Sequence, residues 1–351
     1  SRRKVEEKKL TEKVLVSKAG HAGIITLNRP TALNALDLEM IRALSQTLKD
    51  WESDDDIALV VIRGAGDRAF CAGGDIAALY ADAELGPVFF KEEYELNHLI
   101  ASYPKPYVPL MKGVVLGGGV GVSSHGSHRI VTNSTRLGMP EVGIGFAPDA
   151  GGSYILANSR DRLGYHLAYT AVHVGAAEAI DLGFADFYVT DDKLDELVEV
   201  LASSGDVTEI EKFASDPGES FAGDRAEMVD VYSADSVEET LKRLQDLSEG
   251  KPDDHWSVKA AKKISNHPPL SLKVTELLLE RASVGTLGEA LTTEYWMSLN
   301  MRQDGDFLEG VRALIIEKDK NPKWSHSHLQ DVDAGAVLEI LDRRGTNGPK
   351  F

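Results

Sequence analysis

Apolar residues fall along this chain in two rhythms, the second replacing the first a little past the middle. In the first half, short unbroken apolar runs alternate with amphipathic stretches. "AGIITLN" (22–28) and "IALVVIRGAG" (57–66) predict buried strands, because an apolar run without polar alternation needs cover on both faces. Between them, "DLEMIRALSQTLKDWESD" (37–54) repeats apolar residues at Met40, Ile41, Leu44, Leu48 and Trp51. That is helical spacing, behind Asp37 as N-cap. A strand in "PYVPLMKGVV" (106–115), a helix start in "GGGVGVSSHG" (117–126) and a strand in "HRIVTN" (128–133) repeat the order. Such alternation predicts an α/β fold.

After about residue 190 the strands stop. The segments 192–204, 236–247, 255–266, 269–283 and 286–302 all carry helical spacing. The Ser-, Asp- and Gly-rich stretch from Gly205 to Asp235 reads as a loosely structured insertion, and "RRGTNGPKF" as a tail. The expected organisation is a charged N-terminal extension (1–13), an α/β core (14–204), a variable, partly helical insertion (205–254), and a helical C-terminal domain with its tail (255–351).

Composition narrows the function. The 351 residues are 42% hydrophobic and 27% charged, as in ordinary globular proteins, with no apolar run near the length of a membrane span. The net charge of -18 repels phosphate backbones and anionic lipid, which argues against nucleic acid or membrane partners. The start, "SRRKVEEKKLTEKVLV", lacks the apolar stretch of a signal peptide. One cysteine, Cys71, rules out an intramolecular disulfide and a multi-cysteine metal site, and a reducing cytoplasm is the expected compartment.

Three glycine-rich sites bear on chemistry. "GAGDRA" (64–69) formally matches a dinucleotide fingerprint, but more glycines follow instead of a helix, so a polar turn is the better reading. "FCAGGDIAALY" (70–80) and "LGGGVGVSSHG" (116–126) each place glycines just before a helix. The backbone there can approach a ligand closely, and N–H groups at a helix start face outward. Two such corners facing each other would stabilise a developing oxyanion, commonly by ~3 kcal/mol per donor.

"MPEVGIGFAPDAGGSY" (139–154) sets Glu141 and Asp149 eight residues apart in an apolar run with no base between them. Unpaired charge is costly there, but burial also raises carboxylate basicity toward neutral pH, which suits acid–base work. Plainer readings stand beside this one. Asp149 could cap the next helix, Glu141 could pair with Arg63 or Arg129, and Glu92 and Glu93 could form a solvated helix face. Cys71 has no neighbouring histidine and reads as a packed thiol. His125 and His128 have neither a nucleophile elbow nor zinc spacing, and read as structural.

"ITLNRPTALNALD", "AFCAGGDI", "KGVVLGGGVG" and "MPEVGIGFAPDAGGSY", in this order, resemble the enoyl-CoA hydratase/isomerase (crotonase) superfamily. The likeness covers roughly residues 14 to 190 and resumes at "DFLEGVRALIIEKDKNPKW" (306–324). It implies a crotonase-like spiral of ββα units followed by a helical domain used in self-association, of the trimer type common in the superfamily. It also implies an acyl-CoA thioester substrate, with coenzyme A entering as part of the substrate and no separate cofactor or metal. By position, the amides of Gly74 and Gly118 would hold the thioester oxygen, with Ala72, Gly73 and Gly117 beside them. Hydratases of the superfamily resemble one another in carrying two glutamates; here the first position is Gly121, and only the second, Glu141, is kept. Asp149 stands where they carry glycine. With "PVFFKEEYELNHLI" (87–100) and "LGYHLAYTA" (163–171), these departures are similar to a hydrolase branch that acts on 3-hydroxyacyl-CoA thioesters in valine breakdown. That resemblance makes Glu141 a nucleophile or general base. It gives the substrate's 3-hydroxyl to Asp149 and Glu93.

Overall fold

The computed structural model describes residues 7–351. Its larger sheet has seven strands in the order β1 (Glu7–Thr11), β2 (Val14–Ala19), β3 (Ala22–Leu27), β4 (Leu59–Gly64), β6 (Tyr107–Met111), β8 (Ile130–Val131) and β10 (Phe187–Tyr188). A smaller sheet holds β5 (Ala69–Cys71), β7 (Val114–Leu116) and β9 (Arg136–Gly138). Three successive turns, through β4 and β5, β6 and β7, and β8 and β9, each give one strand to the large sheet, one to the small sheet, and then a helical segment. This is the ββα spiral expected from the resemblance. β1, β2 and β3 are antiparallel, and from β3 onward the pairs are parallel, with Ile24 against Val61 and Leu110 against Ile130.

Parallel strands need apolar cover, and the sequence supplies it. The helix Leu194–Ser204 turns Leu194, Leu197, Val198 and Leu201 into a core with Ala22, Ile24, Leu59, Val61, Val108, Leu110 and Ile130. The helix Leu38–Glu52 begins as its spacing predicts, with the Asp37 side chain accepting the Met40 N–H at 2.9 Å. Within the segment read as a charged extension, Glu7–Thr11 is the edge strand β1. The stretch read as loosely structured carries the 3-10 helix Val207–Lys212 with Ile210 buried, a bridge from Ser215 to Tyr188, and the helix Arg225–Tyr232.

Two compact units divide the chain, each threaded from separate segments. One takes residues up to Asp75, Glu92–Leu137 and Val174–Glu219, and contains the large sheet. The other takes Ile76–Lys91, Gly138–His173 and Ser220–Phe351 and is helical. In the helical unit Phe146 stacks on Phe90 (centroids 5.8 Å apart) and packs on Phe307 (5.2 Å). Gly145, at φ +77°, lies where a methyl group would come within 2.2 Å of the Asp306 carbonyl oxygen, so only glycine allows that approach. The helix Leu287–Asp304 is buried on nearly every side from Ala290 to Ser298. No helix among the described residues is long and apolar enough to cross a membrane.

Candidate active site

In the sheet-bearing unit the two glycine corners meet. Gly73 has φ +117°, a conformation side chains disfavour, and Gly117 has φ +52° where it opens the short helix Gly118–Gly121. A methyl group on Gly118 would lie 3.2 Å from the Gly74 nitrogen and 3.4 Å from the Gly73 carbonyl carbon. The chain around Gly74 is pinned by Leu36, whose N–H donates to the Gly73 carbonyl at 2.7 Å and whose carbonyl accepts the Asp75 N–H at 2.8 Å. The preceding Ala72 N–H donates to the Leu33 carbonyl at 2.9 Å. Neither the Gly74 nor the Gly118 N–H is engaged by an acceptor among the described residues. Two unengaged amides on adjoining backbone, without side chains between them, can serve one anionic oxygen.

Glu93 belongs to this unit and is buried, on the helix Leu85–Ala101. Glu92 takes the surface, where Arg42 grips it with two hydrogen bonds of 2.8 and 2.9 Å. A solvated face therefore accounts for Glu92 and not for Glu93. Cys71 is buried, and burial foremost, with the nearby Glu93 charge adding to it, pushes its thiol up to about 12. It is packing material, as its sequence context predicts. His128 stacks on Phe187 and shares a 2.8 Å hydrogen bond with Ser127 Oγ, which also accepts the Tyr107 N–H at 2.9 Å, while Ser123 Oγ donates to the Gly119 carbonyl at 2.7 Å.

The acids of 139–154 lie in the helical unit. Glu141 opens the 3-10 turn Glu141–Ile144, its residue only 6% exposed. Neither carboxyl oxygen has a hydrogen-bond partner among the described residues. Burial first, then the negative charge of Asp149, raise its pKa well above the usual carboxylate range, with Glu294 adding a smaller push. The backbone amides of Glu141 and Asp149 pull the other way without reaching hydrogen-bond geometry. Asp149 is equally buried. The plainer readings of both acids fail. The helix Gly152–Ala157 is capped by Gly151 with no side-chain cap, while the Asp149 carbonyl accepts the Gly152 N–H at 2.7 Å. Arg129 forks onto Asp186, and Arg63 reaches Thr26.

A third acid was not foreseen from the sequence. Glu294, fully buried on the helix Leu287–Asp304, accepts the Gly151 N–H at 2.8 Å and the Ser153 hydroxyl. Burial foremost, with the Asp149 charge behind it, pushes its pKa to about 8. The signal available was a lone charge in "TTEYWMSLNM", a stretch with no polar face to receive it. Gly121, buried in its helix, brings no acid to the glycine corners. The structure thus gathers Ala72, Gly73, Gly74, Glu93, Gly117 and Gly118 in one unit, and Glu141, Asp149 and Glu294 in the other.

Fold and residues together define a class. Residues 22–341 match the enoyl-CoA hydratase/isomerase family, and the chain belongs to it. Among its relatives, the rat 3-hydroxyisobutyryl-CoA hydrolase, mitochondrial, is 41% identical over 97% of this chain and 91% of its own length. The human protein of the same name is 40% identical over 97% and 91%. Among solved structures, a carnitinyl-CoA dehydratase from Mycobacterium thermoresistibile matches with TM-score 0.90 and 38% identity, covering 96% of this chain and 98% of that one. An enoyl-CoA hydratase from Rhodobacter sphaeroides 2.4.1 matches at 0.85 and 36%, covering 94% and 97%.

Proposed function

We propose that this protein hydrolyses a 3-hydroxyacyl-CoA thioester, 3-hydroxyisobutyryl-CoA foremost, to the free hydroxy acid and coenzyme A. The reading rests above all on the buried, mutually repelling pair Glu141 and Asp149, with Glu141 carrying no hydrogen-bond partner among the described residues. A buried carboxyl kept without partners costs stability, and its retention is explained if a substrate uses it. The names of the rat and human relatives supply the acyl group.

In this proposal the amides of Gly74 and Gly118 take the thioester oxygen as it gains charge. Deprotonated Glu141 either attacks the carbonyl carbon, giving a mixed anhydride that water then cleaves, or draws a proton from the attacking water. The C–S bond breaks in both routes, and the departing thiolate takes its proton from the acid form of Asp149. Asp149 also receives the substrate's 3-hydroxyl, and Glu93 is assigned to the same hydroxyl. No cofactor or metal takes part.

The two solved neighbours are named a dehydratase and a hydratase, which favours a second reading, a hydratase or dehydratase. Adding water across a double bond calls for a further acid at the α-carbon, and Gly121 leaves that position without one. Free thiol from 3-hydroxyisobutyryl-CoA, against loss of ultraviolet absorbance with crotonyl-CoA, separates the two. Self-association through the helical half, a cytoplasmic location and a step in valine breakdown belong to the same proposal. Light scattering during size-exclusion chromatography reads the first of them.

A further inference from the structure

We propose that Glu294 is a positioning residue for Asp149, fixing it through the backbone turn that follows. The proposal rests on the hydrolase reading above and adds to it a residue that touches no substrate. Asp149 is followed by Ala150 at φ +55° and Gly151 at φ +74°, two left-handed residues in succession. Such a turn persists only if its surroundings hold it. Glu294 supplies the hold: one carboxyl oxygen accepts the Gly151 N–H at 2.8 Å, and the other is hydrogen-bonded to the Ser153 hydroxyl. The grip reaches from the helix Leu287–Asp304 to the start of Gly152–Ala157, on a carboxyl with no solvent exposure.

A carboxyl is an odd clamp beside two other buried carboxyls, since an amide would make the same two hydrogen bonds. The charged groups whose field bears on this cluster are Asp149 and Glu141, both negative when ionised. With burial, that field keeps Glu294 neutral up to about pH 8. Below that pH it grips as a neutral acid and adds no charge beside Asp149 and Glu141. Above it, a new negative charge disfavours the deprotonated form of Glu141 on which the proposed reaction depends, and should slow turnover.

The test compares Glu294→Gln with Glu294→Ala in the full-length protein, using thiol release from 3-hydroxyisobutyryl-CoA between pH 5 and 10. Glutamine reproduces the neutral clamp, one oxygen accepting from Gly151 and its amide donating to Ser153 Oγ. Alanine should lower kcat about thirtyfold with KM changed less than threefold, glutamine should recover most of that loss, and the fall in kcat above about pH 8 should vanish in the glutamine variant. An alanine variant within twofold of wild type, or a glutamine variant as slow as alanine, would overturn the proposal. If alanine fails to fold, the glutamine profile decides alone, because an unchanged alkaline fall also overturns it. Melting temperature supplies an arm independent of activity. The decline in wild-type stability between pH 6.5 and 8 should be shallower in Glu294→Gln, and an equal slope counts against the clamp. Wild type that releases no thiol at all would defeat the hydrolase reading, while that slope would still report on Glu294.

Discussion

A methyl group added to Gly118 would stand 3.2 Å from the Gly74 nitrogen, so the two amides proposed to hold the thioester oxygen lie on backbones that already touch. The neighbouring position is far tighter, because a methyl on Gly119 would come within 2.1 Å of the Cys71 carbonyl oxygen. The two glycines should therefore answer differently to the same change. Gly118→Ala needs a shift of only a few tenths of an ångström and should fold, yet lose about a hundredfold in kcat as the hole narrows. Gly119→Ala should lose about 3 kcal/mol of stability or more, because backbone rather than a flexible side chain must move. Circular dichroism melts beside thiol-release rates check both.

Glu141→Gln, like Gly118→Ala, should lose activity while keeping stability. Both oxygens of Glu141 are buried without a hydrogen-bond partner among the described residues, beside the like charge of Asp149. Replacing an acid by an amide removes charge that burial penalises. The variant should melt no lower than wild type at pH 8 while kcat falls roughly a thousandfold, within the range for a positioned acid–base group. A lower melting point with normal kcat would make Glu141 a structural acid.

The pH dependence of stability follows from the same burial. Folding lifts the Glu294 pKa from 4.5 to about 8 and moves Glu141 in the same direction. A raised acid binds its proton more tightly when folded, so this contribution is complete below about pH 4.5 and is lost as pH rises toward 8. Glu309 works in reverse: hydrogen bonds from Arg312 hold it at about 2, so its contribution is present above 4.5 and disappears only in strong acid. Below about pH 6.5 the buried His166, held at about 3, and His267, also lowered by burial, work against the acids, because the unfolded chain takes up their protons more readily. Melting temperature should therefore fall by several degrees from pH 6.5 to 8. A melting temperature that rises over this interval would contradict the burial of both acids.

Cys71 offers a control on chemistry. Its thiol, buried and pushed up to about 12, should give no colour with a disulfide reagent until the protein unfolds. Rapid labelling of the native protein would mean that the core around β5 opens to solvent.

Local rules carried much of the fold because they act within a few residues. Asp37 before an amphipathic run had to cap a helix, and the apolar runs at 22–27 and 59–64 had to be strands with both faces covered. Glu7–Thr11 was not legible, since a charged edge strand carries no apolar signature until its partner β2 is known. The segment after Gly205 misled because its composition is that of a loop, although Ile210 is buried in the sheet's core. Of the site, Glu141 and Asp149 stood out as acids among apolar neighbours. Glu294 did not, because its partner amide is 143 residues away and no local rule links them. Glu92 and Glu93 are adjacent and chemically alike, and only tertiary packing tells which faces water.

One assay bears most directly on the central claim: free coenzyme A thiol released from 3-hydroxyisobutyryl-CoA at neutral pH by wild type and by Glu141→Gln. Steady thiol release by wild type, reduced about a thousandfold in the variant, is the expected result. Equal release by both proteins, or no release while crotonyl-CoA is hydrated, would contradict it.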